Sequence, residues 1–301
     1  MQKIIPHLWF DKEAREAAEF YISLLPNSKV THVSTIHNTP SGDCDIVSFD
    51  LAGQSFMAIS AGPIFKFTPA ISFHIKCKTV EEVDTLWKKL SPGGKVLMEL
   101  GEYPFSKRYG WLEDKYGLSW QIIYSGDQSF NQTIVPVIMY VGNVAGKAEE
   151  AINFYVDTFK DAPSSSGESK IHFISRYGKN PGPVKEDNVN YSHFSLNGFE
   201  MGAMDSAQDH KFTFSEAISF IIPCDTQEEI DYFWEKLSAD PKAEQCGWLK
   251  DKYGVSWQVW ATEIGKMMGS GDQEKVERVT KAFLQMKKFD IATLKKAYKG
   301  E

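Results

Sequence analysis

The sequence predicts an α+β protein in which one domain is written twice in tandem, with a helical tail after the second copy. Three observations carry this. The block Gly110-Trp111-Leu112-Glu113-Asp114-Lys115-Tyr116-Gly117-Leu118-Ser119-Trp120-Gln121 returns as Gly247-Trp248-Leu249-Lys250-Asp251-Lys252-Tyr253-Gly254-Val255-Ser256-Trp257-Gln258. Shorter stretches return in the same order: Ala70-Ile71-Ser72-Phe73 as Ala217-Ile218-Ser219-Phe220, Trp87 as Trp234, and Ala18-Glu19-Phe20-Tyr21 as Ile152-Asn153-Phe154-Tyr155. Within each copy, runs alternating with period two are interspersed with runs of helical period.

The elements of the first copy follow in order. Residues 4–10 alternate and are rich in β-formers, so they read as a strand. Residues 13–25 place Ala17, Phe20, Tyr21 and Leu24 at helical spacing until Pro26-Asn27 stops them. Residues 29–36, 45–51 and 54–60 read as strands, with Ala52-Gly53 as the turn between the last two. A strand over 70–77 leads into a helix over 80–90, with Thr79 as its N-cap and Pro92-Gly93-Gly94 at its end. Three strands close the copy, at 95–99, 107–113 and 118–124, the last two joined by the turn Asp114-Lys115-Tyr116-Gly117. The order is βαβββ followed by βαβββ. The second copy reads the same way, with a strand over 217–224 and a helix over 227–237. The offset between copies varies, as surface connections allow.

Turn chemistry at 125–132 separates the copies, giving domains at 1–126 and 132–263. The tail, 272–301, carries one helical stripe at Val276, Val279, Phe283 and Met286 and another at Ile291, Leu294 and Tyr298. These suit helices that pack on the domains, or an arm for a partner.

Composition bounds the function. The chain has 301 residues, enough for two cores, and 42% hydrophobic against 24% charged residues marks it as globular. A net charge of −7 argues against nucleic acid, which calls for a basic stripe, and against anionic membranes. No apolar run reaches the length of a membrane span, and the start lacks the pattern of a signal peptide. A cytoplasmic location is expected. Cys77 and Cys224 occupy matching positions, Cys44 and Cys246 do not, and no CxxC is present, so buried free thiols are expected.

Paired βαβββ modules, the Phe-Tyr of the first helix and the GWLxDKYGxSWQ block resemble the vicinal-oxygen-chelate superfamily, which includes glyoxalase I, extradiol dioxygenases and bleomycin-resistance proteins. The likeness is narrower to its PhnB-like branch, whose members often carry the name 3-demethylubiquinone-9 3-methyltransferase. The tail segment 286–294 also resembles the endings of double-length members. The resemblance implies paired modules curling into cup-shaped mixed sheets, helices outside and ligand inside. Alternation then assigns faces. Ile71, Phe73, Ile75 and Cys77 turn to the helices, while Ser72, His74 and Lys76 turn into the cup. Trp120 and Ile122 go to the core, and Ser119 and Gln121 to the cup. Ile5, His7 and Trp9 share a face, taken as the cup face.

In metal-using relatives a histidine, a carboxylate, a further His or Glu and a Glu four residues after the turn glycine hold a divalent ion. Here the last position is Gln121 or Gln258, the third aligns with Ser72 or Ser219, and residues 54–60 contain no Asp or Glu. Neutral amides and hydroxyls neither cancel a metal's charge nor bind it strongly, so no metal and no other cofactor is expected. His7 and His74, with Gln121, remain as a thin set if they converge.

The candidate ligand-binding residues are His7, Trp9, Ser72, His74, Ser119, Gln121, Ser219, Ser256 and Gln258, with Phe65 and Phe67 as further walls. His74 is the candidate base, being a histidine with an ordinary pKa near neutrality; it reads equally as a hydrogen-bonded pocket residue. Its counterpart in the second copy is Ile221, and that of His7 is Val137. Modules pair within a half, or the first pairs with the fourth, in which case His7 and His74 lie in different cups. Four functions are weighed: a metal-free small-molecule-binding protein; an enzyme, either a metal-dependent lyase, isomerase or dioxygenase or an acid–base catalyst using His74; a methyltransferase; and a structural or interaction protein using its tail. The first is favoured. Methyl transfer is disfavoured because no Gly-rich loop follows a strand in the manner of a nucleotide-cofactor site. The partner is then a small molecule, and the chain a monomer or homodimer.

Overall fold

The computed structural model describes residues 2–39, 42–126, 130–179, 184–206 and 208–301. The inter-copy turn at 125–132 lies partly outside them. The first module is β1 (Ile5–Phe10), α1 (Ala14–Ile22), β2 (Lys29–Thr39), β3 (Gly42–Leu51) and β4 (Gln54–Ser60). The second is β5 (Ile71–Cys77), α2 (Val80–Leu90), β6 (Lys95–Tyr103), β7 (Ser106–Glu113) and β8 (Ser119–Tyr124). The third is β9 (Ile134–Tyr140), α3 (Ala148–Lys160), β10 (Lys170–Arg176), β11 (Val189–Leu196) and β12 (Phe199–Asp205). The fourth is β13 (Ile218–Cys224), α4 (Gln227–Leu237), β14 (Trp248–Lys250) and β15 (Ser256–Ala261). The tail adds α5 (Thr262–Met268), α6 (Gln273–Leu284) and α7 (Ile291–Lys299).

The fourth module is one strand short of the expected βαβββ: it has no counterpart of β6. Between Leu90 and Gly110 the first copy has 19 residues, whereas between Leu237 and Gly247 the second has nine. Nine residues cannot build a second hairpin strand and return, so only the short β14 remains.

The strands form two mixed sheets, ordered β14-β15-β13-β1-β4-β3-β2 and β10-β11-β12-β9-β5-β8-β7-β6. Neither sheet is assembled from one half of the chain. The first module joins the fourth through antiparallel β1 and β13, with His7 opposite Ser219 and Leu8 opposite Ile218. The second joins the third through β5 and β9, with Ser72 opposite Val137 and Ile71 opposite Ile138. His7 and His74 therefore lie in different cups.

The outer faces of the sheets pack on each other and on the helices in one continuous core. Phe56 of β4 meets Phe73 of β5 at 5.6 Å between ring centres, and Phe73 meets Trp120 at the same distance. The repeated Asp-Lys-Tyr-Gly turn fastens these layers. Asp114 Oδ1 accepts the backbone N–H groups of Tyr116 and Leu118, and Oδ2 accepts the Tyr21 hydroxyl and the Trp120 indole N–H, both at 2.8 Å. Asp251 repeats the pattern with Tyr253, Val255, Tyr155 and Trp257. Tyr21 comes from α1, which packs on β2, β3 and β4 of one sheet, and Asp114 from the β7–β8 turn of the other; Tyr155 of α3 and Asp251 of the β14–β15 turn repeat this, so each carboxylate ties the helix covering one sheet to a turn of the other. Four donors on one carboxylate compensate its burial.

The tail takes the place of the missing strand and goes further. The N–H groups of Cys246 and Gly247 donate to the carbonyls of Met286 and Lys287 at 2.8 and 2.7 Å, and Phe289 packs on Trp260. On its other side α6 faces β2, the opposite edge of the same sheet, across a cavity of about 640 Å³ lined by Ile36, His37, Val276, Thr280, Lys281 and Leu284 among others. The tail thus spans from the β14 edge to the β2 edge. Of the two expected stripes, Val279, Phe283, Ile291 and Leu294 are buried, while Val276 turns to the cavity.

Two outcomes follow for stability. Asp251→Asn presents an amide N–H₂ to a tyrosine hydroxyl or an indole N–H and is expected to cost about 3 kcal/mol in denaturant unfolding. At Gly247 the backbone has φ +82°, and an added Cβ stands 2.5 Å from the Phe289 ring and 2.8 Å from the Val259 carbonyl oxygen. Gly247→Ala is expected to cost about 2 kcal/mol and to loosen the tail, seen as faster amide exchange at residues 286–289.

Candidate functional site

Each cup has a polar floor where the glutamine and serines of the repeated blocks meet a histidine. Strand pairing sets the faces: Phe73 opposite Trp120 places Ser72 and His74 beside Ser119 and Gln121. Ser219 opposite both Ser256 and His7 does the same in the other sheet.

The β5–β8 floor is closed by its own hydrogen bonds. Gln121 Nε2 donates to Ser72 Oγ at 2.7 Å. Gln121 Oε1 accepts from the Tyr109 hydroxyl and from His74 Nε2, each at 2.5 Å. That pattern makes Nε2 of His74 the protonated nitrogen, so it is not the basic one. Trp111 Nε1 donates to Ser119 Oγ at 2.8 Å. The ring of Tyr191, from the third module, stacks on His74 at 5.5 Å. Burial pushes the His74 pKa down to about 4, with Lys76 adding to the fall and the Gln121 bond opposing it.

The β13–β15 floor is more open in its bonding. Gln258 Nε2 donates to Ser219 Oγ at 2.9 Å. His7 Nδ1 and Ser256 Oγ are buried without a hydrogen-bond partner. Burial pushes the His7 pKa down to about 3. Trp9 donates to the Gly62 carbonyl at 2.8 Å and meets Phe65 edge-on at 5.0 Å. Phe67, expected as a further wall, packs instead against Phe10 on the core side, because Leu8 and Phe10 point away from the cup.

The structure brings the nine expected residues together as two sets. Ser72, His74, Ser119 and Gln121 form one, and His7, Trp9, Ser219, Ser256 and Gln258 form the other. Tyr109, Tyr191 and Trp248 complete the floors and were not among the expected residues. Tyr109 was within reach of alternation, being two residues before Trp111 on the same strand. Tyr191 was not, because its place over His74 depends on the pairing of the second and third modules. A further cluster sits beside the β5 floor, where Glu200 accepts from Lys76 at 3.0 Å and lies 3.2 Å from His193. These two neighbours hold the Glu200 pKa down to about 2.

The donor set does not fit a divalent ion. At the glutamine and serine positions each floor offers a neutral amide already bonded to a neutral hydroxyl, and the two histidines are on different sheets. Among the described residues no three His, Cys, Asp or Glu side chains come together as metal ligands.

The two histidines make an acid-sensitivity prediction. Both folded-state values lie below the ordinary 6.5, so the unfolded chain takes up protons that the folded chain refuses. Their contribution lowers stability as pH falls from 6.5 towards about 4 for His74 and about 3 for His7. Imidazole NMR signals of both rings are expected to remain those of the neutral form at about pH 5, and His7→Val is expected to flatten the stability loss below pH 6.5.

Comparisons agree with this architecture. A family model described as 3-demethylubiquinone-9 3-methyltransferase matches residues 2–123 and again 132–260. A putative 3-demethylubiquinone-9 3-methyltransferase, PhnB protein, from Bacillus cereus is 44% identical; the match covers 41% of this chain and 100% of that one, with a TM-score of 0.39. Two glyoxalase I mutants from Zea mays, 11% and 12% identical, match 88% and 87% of this chain and 96% and 95% of theirs. Each has a TM-score of 0.53, a likeness of fold. No curated protein matches the chain. The chain belongs to the family described as 3-demethylubiquinone-9 3-methyltransferase, carries its domain twice, and has the fold of the glyoxalase and vicinal-oxygen-chelate proteins.

Proposed function

We propose that this chain is a metal-free small-molecule-binding protein of the glyoxalase and bleomycin-resistance type, taking its ligand inside a cup. The carrying observation is the bonding of the floors: where metal-using relatives place carboxylate and imidazole, Gln121 donates to Ser72 and Gln258 to Ser219. Such pairs orient a polar ligand and leave a metal without anionic partners. Each cup is built from both halves of one chain, so a monomer completes it. The thiols of Cys44, Cys77, Cys224 and Cys246 are free, which suits a cytoplasmic protein.

The family description suggests methyl transfer, and a strand-to-helix junction with two glycines, Gly142 and Gly146, lies between β9 and α3. There the helix start is already filled by a carboxylate. Asp205 Oδ1 accepts the N–H groups of Gly146 and Ala148 at 2.8 and 3.0 Å, and Oδ2 that of Val189. A phosphate or a second carboxylate meets repulsion rather than free donors at that end, which favours binding over a nucleotide-dependent reaction.

Elemental analysis of the native protein, with melting scans across Ni, Zn, Mn and Fe and with S-adenosylmethionine, tests this. No stoichiometric metal and no melting shift are expected. A near-stoichiometric metal with stabilisation contradicts the proposal in favour of a lyase or dioxygenase, and a shift with S-adenosylmethionine contradicts it in favour of methyl transfer.

A further inference from the structure

The two floors follow one plan, and they differ at a tryptophan. Trp111 stands opposite Gln121 and Trp248 opposite Gln258, at the same place in the repeated block. Trp111 donates to Ser119. Trp248 makes no such bond to Ser256. Its indole stands edge-on to His7, with ring centres 5.4 Å apart and planes at 89°, and 6.1 Å from Trp9. As a result Ser256 Oγ and His7 Nδ1 are both left buried and unpaired. They are the two such side-chain atoms among the described residues, and both lie on this floor. A buried unpaired polar group costs roughly 1–3 kcal/mol, and native structures generally keep one for a reason. In the pose of Trp111 the indole N–H of Trp248 would point to Ser256, as that of Trp111 does to Ser119, and its ring would leave the edge contact with His7.

We propose that the cup of β1 and β13 is the ligand cup: Trp248 turns from His7 to Ser256, and a flat, uncharged molecule with a hydrogen-bonding edge takes its place against His7 beside Trp9 and Phe65. This rests on the small-molecule reading above and names the site and ligand class within it. Trp9 is held as a fixed wall by its bond to Gly62. The ligand is uncharged because, among the described residues, the floor offers no free cation: burial keeps His7 neutral, and Lys250, on the cup face of β14, is held by Glu216 at 2.6 Å. The other cup is already filled from within the chain, with His74, Tyr109 and Ser72 bonded to Gln121, Ser119 to Trp111, and Tyr191 stacked over His74.

Calorimetric titration with carbostyril, a flat bicycle carrying adjacent N–H and C=O groups, tests the assignment. Quinaldate, of similar shape but with a carboxylate, is the charged control. One carbostyril site per chain is expected, with quinaldate unbound. His7→Val, which copies Val137 of the other floor, is expected to weaken binding at least tenfold without lowering the melting temperature, because it removes an unpaired polar atom. Ser256→Ala is expected to weaken it several-fold. Phe173→Ala, at the exposed rim of the other cup beside Tyr191, is expected to stay within twofold. Unchanged affinity in His7→Val, loss in Phe173→Ala, equal binding of quinaldate, or no saturable binding of carbostyril each overturns the assignment. A metal-free protein that ignores carbostyril refutes this cup and ligand class alone, whereas stoichiometric metal refutes the broader reading.

Discussion

Two short antiparallel ladders, β1 on β13 and β5 on β9, hold the halves of the chain together, and both cups exist only because of them. The floors sit on these seams. His7 faces Ser219 across one, and Ser72 faces Val137 across the other. Without the seams the glutamine–serine pairs would keep their own strands and lose the opposite wall. Backbone pairing that fixes register also fixes which side chains share a face, since a slip of one residue would turn every floor residue outward.

The crossed pairing also explains why the carboxylate turns are so completely bonded. Asp114 and Asp251 stand between layers, each taking a tyrosine hydroxyl from the helix that covers one sheet and an indole N–H from a strand of the other. The molecule is therefore laced twice in each direction, within halves through the carboxylates and across halves through the ladders. Separation of either half would expose both the outer faces and the seams, which predicts cooperative unfolding of the whole. The tail belongs to the same economy of edges. It pairs with the chain before β14 and reaches the β2 edge, so the sheet left one strand short is bordered at both ends.

Much of this was legible in the sequence because the chain states it twice. The repeated block gave the turn, the core tryptophans and the floor residues Ser119, Gln121, Ser256 and Gln258. Period-two alternation placed Ser72 and His74 on the face that the register later assigns them. Module partnering was not legible, because β1 offers the same alternating surface to either β5 or β13; the choice depends on how the whole chain packs. The same limit hid Tyr191, which comes from another half. His74 was legible as a face and not as a bonding pattern. Read alone, it is a histidine on a polar face, but Gln121 takes its proton-bearing nitrogen. The loss of the β6 counterpart was countable as a shorter connection, yet the repeat led the second copy to be read in the same βαβββ order as the first.

The crossed pairing is tested most directly by nuclear Overhauser contacts between Hα protons of opposed residues in a selectively protonated sample. Leu8 and Ile138 are equivalent in the two copies, as are Ile71 and Ile218. Close antiparallel contacts are predicted for Leu8 with Ile218 and for Ile71 with Ile138. Contacts of Leu8 with Ile71 and of Ile138 with Ile218 would show instead that each half closes its own cup, and would contradict the division of the site into the two floors described here.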